Sequence, residues 1–182
     1  PGGVAVDPDE AQREELATAF VGRRAEMATF EALLASPDTT AARLVLLSGE
    51  PGIGKTRLAE EMAAAAVRAG YLVLRSHLRE GAHRPDYWLW KQVLSELVRH
   101  FPPPPPGSGL EASLSEISWL VPEVRDALPG LPPPLRDTGE QRRLRLLEAV
   151  SRLLERMCGG RPVLVVLDGL HLASSASLDL LG

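Results

Sequence analysis

Residues 49–56 read Gly-Glu-Pro-Gly-Ile-Gly-Lys-Thr, an order of residue types suited to holding a chain of phosphates. Gly49, Gly52 and Gly54 let the main chain curl, so that its N–H groups turn inward and form a nest for an anion. Glu50, Pro51 and Ile53 complete the loop. Lys55 supplies an ammonium that reaches the β- and γ-phosphates, and the Thr56 hydroxyl is an oxygen ligand for Mg²⁺. Arg57 follows directly and joins the candidate nucleotide contacts. Far along the chain, Asp168 closes the apolar run 163–167. An acid at the carboxyl end of a buried parallel strand lies where α/β sheets gather their ligands, so Asp168 is the second candidate Mg²⁺ ligand beside Thr56. Without the loop upstream, an Asp in that place would read as an ordinary turn or N-cap residue.

These residues need a strand before the loop and a helix after it. Residues 44–48 are a continuous apolar run, as in strands buried on both faces, and 57–63 are strong helix formers. The spacing predicts a helix to about Ala69 with Gly70 just past its end. A second strand is expected over 71–75, giving a strand–helix–strand unit and a parallel sheet. The stretch 77–85 is polar and turn-like; it holds His77 and His83 without metal-ligand spacing. A helix is expected over 87–100, with Trp90, Val93, Leu94 and Leu97 on its core face. Five prolines at 102–106 and the run 129–134 read as exposed spacers. Between them, 110–128 reads as two short helices broken near Pro122. Residues 140–157 read as one long helix with Leu144, Leu147, Val150, Leu154 and Met157 inward and its arginines solvated. Ser174 or Ser175 is expected to cap a last short helix. Upstream, 1–19 is a loose lead with a short helix through 10–17. A helix stopped at 36–38 carries Met27, Phe30, Leu33 and Leu34 on one face.

Apolar residues make up 45% of the 182 and charged residues 24%, ordinary for a globular chain with a core of its own. The net charge of -4, with no Lys/Arg run, argues against nucleic-acid binding by this segment. One cysteine, Cys158, allows no internal disulfide, which fits the cytoplasm, and it is expected to be buried as a small apolar residue. No apolar run reaches membrane-spanning length.

Taken in order, these segments resemble the ATPase module of the STAND class of AAA-type P-loop proteins, found in large ATP-binding LuxR-type transcriptional regulators. The resemblance rests on Phe20-Val21-Gly22-Arg23-Arg24-Ala25-Glu26, on 48–56 as Walker A, on 87–94, and on 163–168 running into Leu170-His171-Leu172-Ala173. It implies an α/β fold, the three-layer αβα P-loop NTPase with a parallel sheet. A domain over 20–182 would follow the lead, with a helical insertion at about 86–157. Val21, Gly22 and Arg23 would lie against the adenine and ribose. The bound species would be ATP or ADP with Mg²⁺, and further carboxy-terminal domains of the same regulator would be partners. A homo-oligomer is left open. The expected role is a nucleotide switch in a signalling or transcriptional regulator, with an active ATPase or small-molecule kinase as the alternative.

The resemblance departs at two places. Such proteins carry a second acid directly after the Walker-B Asp, where this chain has Gly169. Hydrolysis is therefore expected to be weak or absent, and an acid introduced at 169 to raise it. Relatives also continue past the Walker-B strand, and a later strand lies between it and the P-loop strand. A gap in the sheet is expected there, as in an amino-terminal portion of a longer regulator. His171 is read as structural.

Overall fold

The computed structural model describes residues 22–35, 42–81, 85–101, 104–105, 107–135 and 139–181. The lead over 1–19 with its helix at 10–17, Phe20, Val21, the stop at 36–38, His83, and Pro102, Pro103 and Pro106 lie outside the described residues. The elements in order are α1 (Arg24–Ala35), α2 (Lys55–Arg68), β1 (Leu72–His77), α3 (Trp88–His100), α4 (Glu111–Ile117), α5 (Glu123–Ala127), α6 (Glu140–Met157), β2 (Val163–Asp168) and α7 (Ser175–Leu178).

Local chemistry explains most of the boundaries. α2 is rich in alanine and ends where Gly70 adopts φ 89°, a conformation that costs glycine nothing. There Gly70 N–H donates to the Val67 carbonyl and Tyr71 N–H to the Ala66 carbonyl, closing off the helix. Pro122 precedes α5, where a missing N–H costs nothing. The Ser174 hydroxyl accepts the Ser177 N–H and caps α7.

The sheet is a parallel pair, β1 beside β2, in register from Leu72 opposite Val163 to His77 opposite Asp168. Side chains alternate between its faces. Leu72, Leu74, Val163, Val165 and Leu167 join a cluster with the buried faces of α3, α4 and α6. Val73, Leu164 and Val166 join Phe30 of α1 and Leu58, Met62 and Ala66 of α2 on the other side. The outer edge of β1 is covered by α3: Glu96 accepts the Arg75 N–H, and Gln92 binds both the N–H and the carbonyl of His77. Those side chains satisfy a row of edge groups that would otherwise stay open for pairing.

Four expectations are corrected. Residues 44–48 do not form a strand: no regular element covers 42–50, and Leu44 and Leu46 are 78% and 69% exposed. A strand is held by a neighbour's ladder, and among the described residues this run pairs with none, since a cavity lined by both separates it from β2. The strand read at 71–75 runs instead through His77, so His77 is a strand residue, not part of a turn. The face of α6 is corrected in part: Val150 is buried and Leu154 and Met157 pack against the core as expected, but Leu144 and Leu147 are exposed and Leu146, Ala149 and Leu153 are buried in their place. Both faces keep helical spacing, and contact with α4 decides between them. The arginines of α6 are not all solvated either, since Arg145 is half-buried 3.6 Å from Glu116.

Among the described residues of the two spacers, Pro105, Pro132 and Pro133 are exposed. The Pro132 carbonyl accepts from Ser115 Oγ and from the Arg125 guanidinium, both at 2.8 Å, which pins the second spacer to α4 and α5. Trp90 is buried, and its indole N–H donates to the Ser177 carbonyl at 2.9 Å, tying α3 to α7. Trp90→Phe keeps an aromatic ring in the core, but it removes the donor, leaves that carbonyl unpaired and opens a small void where the second indole ring stood. It is expected to cost about 1–3 kcal/mol in urea unfolding. A loss under about 0.5 kcal/mol, the usual scatter for a surface change, would show that the bond contributes nothing.

Candidate nucleotide site

The loop at 49–54 turns through glycines at positive φ, with Gly52 at 81° and Gly54 at 91°. An added Cβ at either would meet nothing within 4 Å, so backbone conformation and not crowding demands glycine here. Gly54 is the N-cap of α2, a helix of 14 residues, and offers no side chain to cover the first-turn N–H groups. That leaves donors and the positive end of the helix dipole facing the loop. The Lys55 ammonium donates to the carbonyls of Gly49 and Glu50, each at 2.9 Å, which holds it over the loop. Thr56 Oγ1 donates to Asp168 Oδ2 at 2.9 Å, across a sequence separation of 112 residues. Thr56 and Asp168, the two Mg²⁺ ligands expected from sequence, are therefore in direct contact.

Beside them lies a cavity of about 670 Å³, within the range of ligand pockets. Lys55, Thr56 and Asp168 line it, together with 45–49 and Leu164, Val166 and Gly169. The donor set fits a magnesium polyphosphate. Thr56 and Asp168 offer hard oxygens, few enough that Mg²⁺ keeps several waters, and Lys55 with the α2 N-terminus offers positive charge to phosphate.

The family model described as "AAA ATPase domain" matches residues 19–182. The chain belongs to that family. Comparison with the curated proteins and with the solved structures gave no match. As an AAA ATPase domain the chain is a nucleotide-binding module with an α/β architecture. Among the described residues no helix is long and apolar enough to cross a membrane.

The other expected site residues of this AAA domain fall in different places. Arg23, at φ 56°, donates to the Ile53 carbonyl at 3.4 Å, which brings the 22–24 segment against the phosphate loop. It also bonds Glu26 at 2.9 Å, and that contact holds the Glu26 carboxyl below its usual pKa. Val21 lies outside the described residues. Glu50, Pro51, Gly52 and Ile53 are exposed along the loop. Arg57 points along its own helix, 2.8 Å from Glu61 and 3.7 Å from Glu60. His171 is exposed and lines the cavity. Cys158 is buried, which raises its thiol pKa.

Sequence reasoning missed three features. His77 Nδ1 lies 3.0 Å from Asp168 Oδ2, because the register sets the two residues side by side at the carboxyl ends of β1 and β2. Glu80, in the loop after β1, lines the cavity. Gly169 adopts φ 80°, and a Cβ there would sit 2.6 Å from the Leu78 carbonyl oxygen. Glycine at 169 thus has a steric cause as well as a chemical consequence. The only signal for the first two was a polar residue near the end of the strand read at 71–75.

Proposed function

We propose that the chain is an ATP/ADP–Mg²⁺ switch module of a signalling or transcriptional regulator, one that binds nucleotide and hydrolyses it weakly or not at all. The observation that carries this reading is the Thr56–Asp168 contact at the mouth of the glycine loop, followed by a residue without a side chain. Lys55 and the N–H groups of the loop would hold the phosphates, and Thr56 and Asp168 would hold Mg²⁺. Bound Mg²⁺ would neutralise charge on the β- and γ-phosphates. Orienting a water for attack takes an acceptor, and position 169 offers none. A domain in this condition rests in one nucleotide state, and the difference in its contacts with ATP and ADP biases the arrangement of whatever it is joined to.

The finer fold belongs to the same reading. The domain would cover 20–182 after a lead at 1–19, with the helices of 86–157 as an insertion. A strand between 44–48 and β2 would bring both into one three-layer αβα sheet. The cavity of about 670 Å³ between those two segments supports this. Further domains of the regulator and a cytoplasmic setting belong here too.

Titration of ATP and of ADP by calorimetry, with Mg²⁺ and with EDTA, tests the binding. Thr56→Val removes one Mg²⁺ ligand while keeping side-chain volume. It is expected to abolish most of the gain that Mg²⁺ gives to ATP affinity and to change binding in EDTA little. If Mg²⁺ strengthens ATP binding equally in parent and variant, Thr56 is not a ligand. An active ATPase is the second reading. Glu80 favours it, as a carboxylate on the cavity wall that could orient water in place of the missing acid.

A further inference from the structure

We propose that His77 is a positioning residue for the Mg²⁺ ligand Asp168, and that Gln92 of α3 holds His77 in place. The inference rests on the nucleotide-binding reading above. Asp168 Oδ2 has two neighbours, Thr56 Oγ1 at 2.9 Å and His77 Nδ1 at 3.0 Å. An ionised carboxylate only accepts, so the proton of this contact sits on Nδ1. Two donors on one oxygen fix the rotation of the carboxylate and leave Oδ1 as the less occupied oxygen.

His77 is itself fixed from the far side. Gln92 Oε1 accepts the His77 N–H at 3.2 Å, and Gln92 Nε2 donates to the His77 carbonyl at 3.2 Å. Both ends of the Gln92 amide are thus spent on the main chain of one residue, His77. The Asp168 carbonyl also accepts the Leu78 N–H at 3.0 Å, so strand ends and side chains are locked together. The resulting chain runs from α3 through Gln92, His77 and Asp168 to Thr56 at the head of α2. The His77 ring is about half exposed and adds little to the core. Partners that orient metal ligands commonly change metal affinity about 10–100-fold when removed.

The experiment measures Mn²⁺ bound with ATP by electron paramagnetic resonance, and ATP binding in EDTA by calorimetry, on the full chain. His77→Ala is expected to weaken Mn²⁺ about 10–100-fold and to leave ATP affinity in EDTA within about twofold. His77→Asn, whose amide can still donate, should restore most of the loss. Gln92→Met keeps length and helix propensity but releases the clamp, and should weaken Mn²⁺ several-fold. Should His77→Ala fail to fold, Gln92→Met and His77→Asn still decide the matter. Unchanged Mn²⁺ affinity in His77→Ala and Gln92→Met overturns the proposal. So does a loss of equal size with and without metal, which would mark a purely structural residue, and so does failure of His77→Asn to restore binding. If the parent chain binds no ATP, the nucleotide reading itself falls and takes this inference with it. If the parent binds Mn²⁺ and ATP and the variants match it, only the inference falls.

Discussion

The full chain is expected to bind Mg-ATP and to turn it over well below about 1 s⁻¹, the low end of ordinary enzymes. General-base assistance is worth about 10²–10⁴-fold, and position 169 offers no group to give it. Single-turnover hydrolysis with excess protein measures this directly. The sequence alone suggests a repair, an acid at 169, and the structure argues against it. Gly169 sits at φ 80°, and its Cβ would lie 2.6 Å from a main-chain oxygen, that of Leu78. Neither can be relieved by a side-chain rotation, because Leu78 N–H is bonded to the Asp168 carbonyl. Left-handed backbone in a residue other than glycine costs about 1–3 kcal/mol, and the contact adds to that. Gly169→Asp and Gly169→Ala are therefore both expected to melt several degrees below the parent, at roughly 2–4 °C per kcal/mol for a chain of this size. Neither should gain activity. A Gly169→Asp variant as stable as the parent and at least 10²-fold faster would refute the steric account. Ordinary turnover by the parent would instead point to Glu80 or His171, which line the cavity, or to Glu50 on the loop.

Lys55→Ala should weaken Mg-ATP binding by about 1.5–3 kcal/mol, the scale of a hydrogen bond to a charged group, or roughly 10–150-fold in Kd. The ammonium now bonds two loop carbonyls, those of Gly49 and Glu50. Gly49 and Glu50 are exposed, so water can replace Lys55 there, and the variant should fold as the parent does. Circular dichroism with thermal melting checks the fold, and calorimetry gives the affinity. Equal affinity in parent and variant would remove the phosphate loop from the account.

What the sequence determined by itself is local. The turn at 49–56 follows from glycine spacing. The end of α2 at Gly70, the break near Pro122 and the Ser174 cap follow from residues that satisfy or withhold their own neighbours' hydrogen bonds. The long helix at Glu140–Met157 follows from a repeat close to 3.6. The pairing of Thr56 with Asp168 was legible too, because a phosphate loop and an acid-tipped strand imply each other's place. Tertiary structure decided whatever depends on a partner distant in sequence. Residues 44–48 have the composition of a strand, yet a strand exists only beside another ladder, and the gap next to β2 leaves them without one. Leu146 faces inward and Leu144 outward because α4 lies on one side of α6, a choice that two equally regular apolar stripes cannot make. His77 meets Asp168 across 91 residues only through the β1–β2 register. Gly169 is glycine because the Leu78 carbonyl passes 2.6 Å from where its Cβ would stand. Spacing along a chain encodes turns and periods, whereas these contacts depend on how separate segments close against one another.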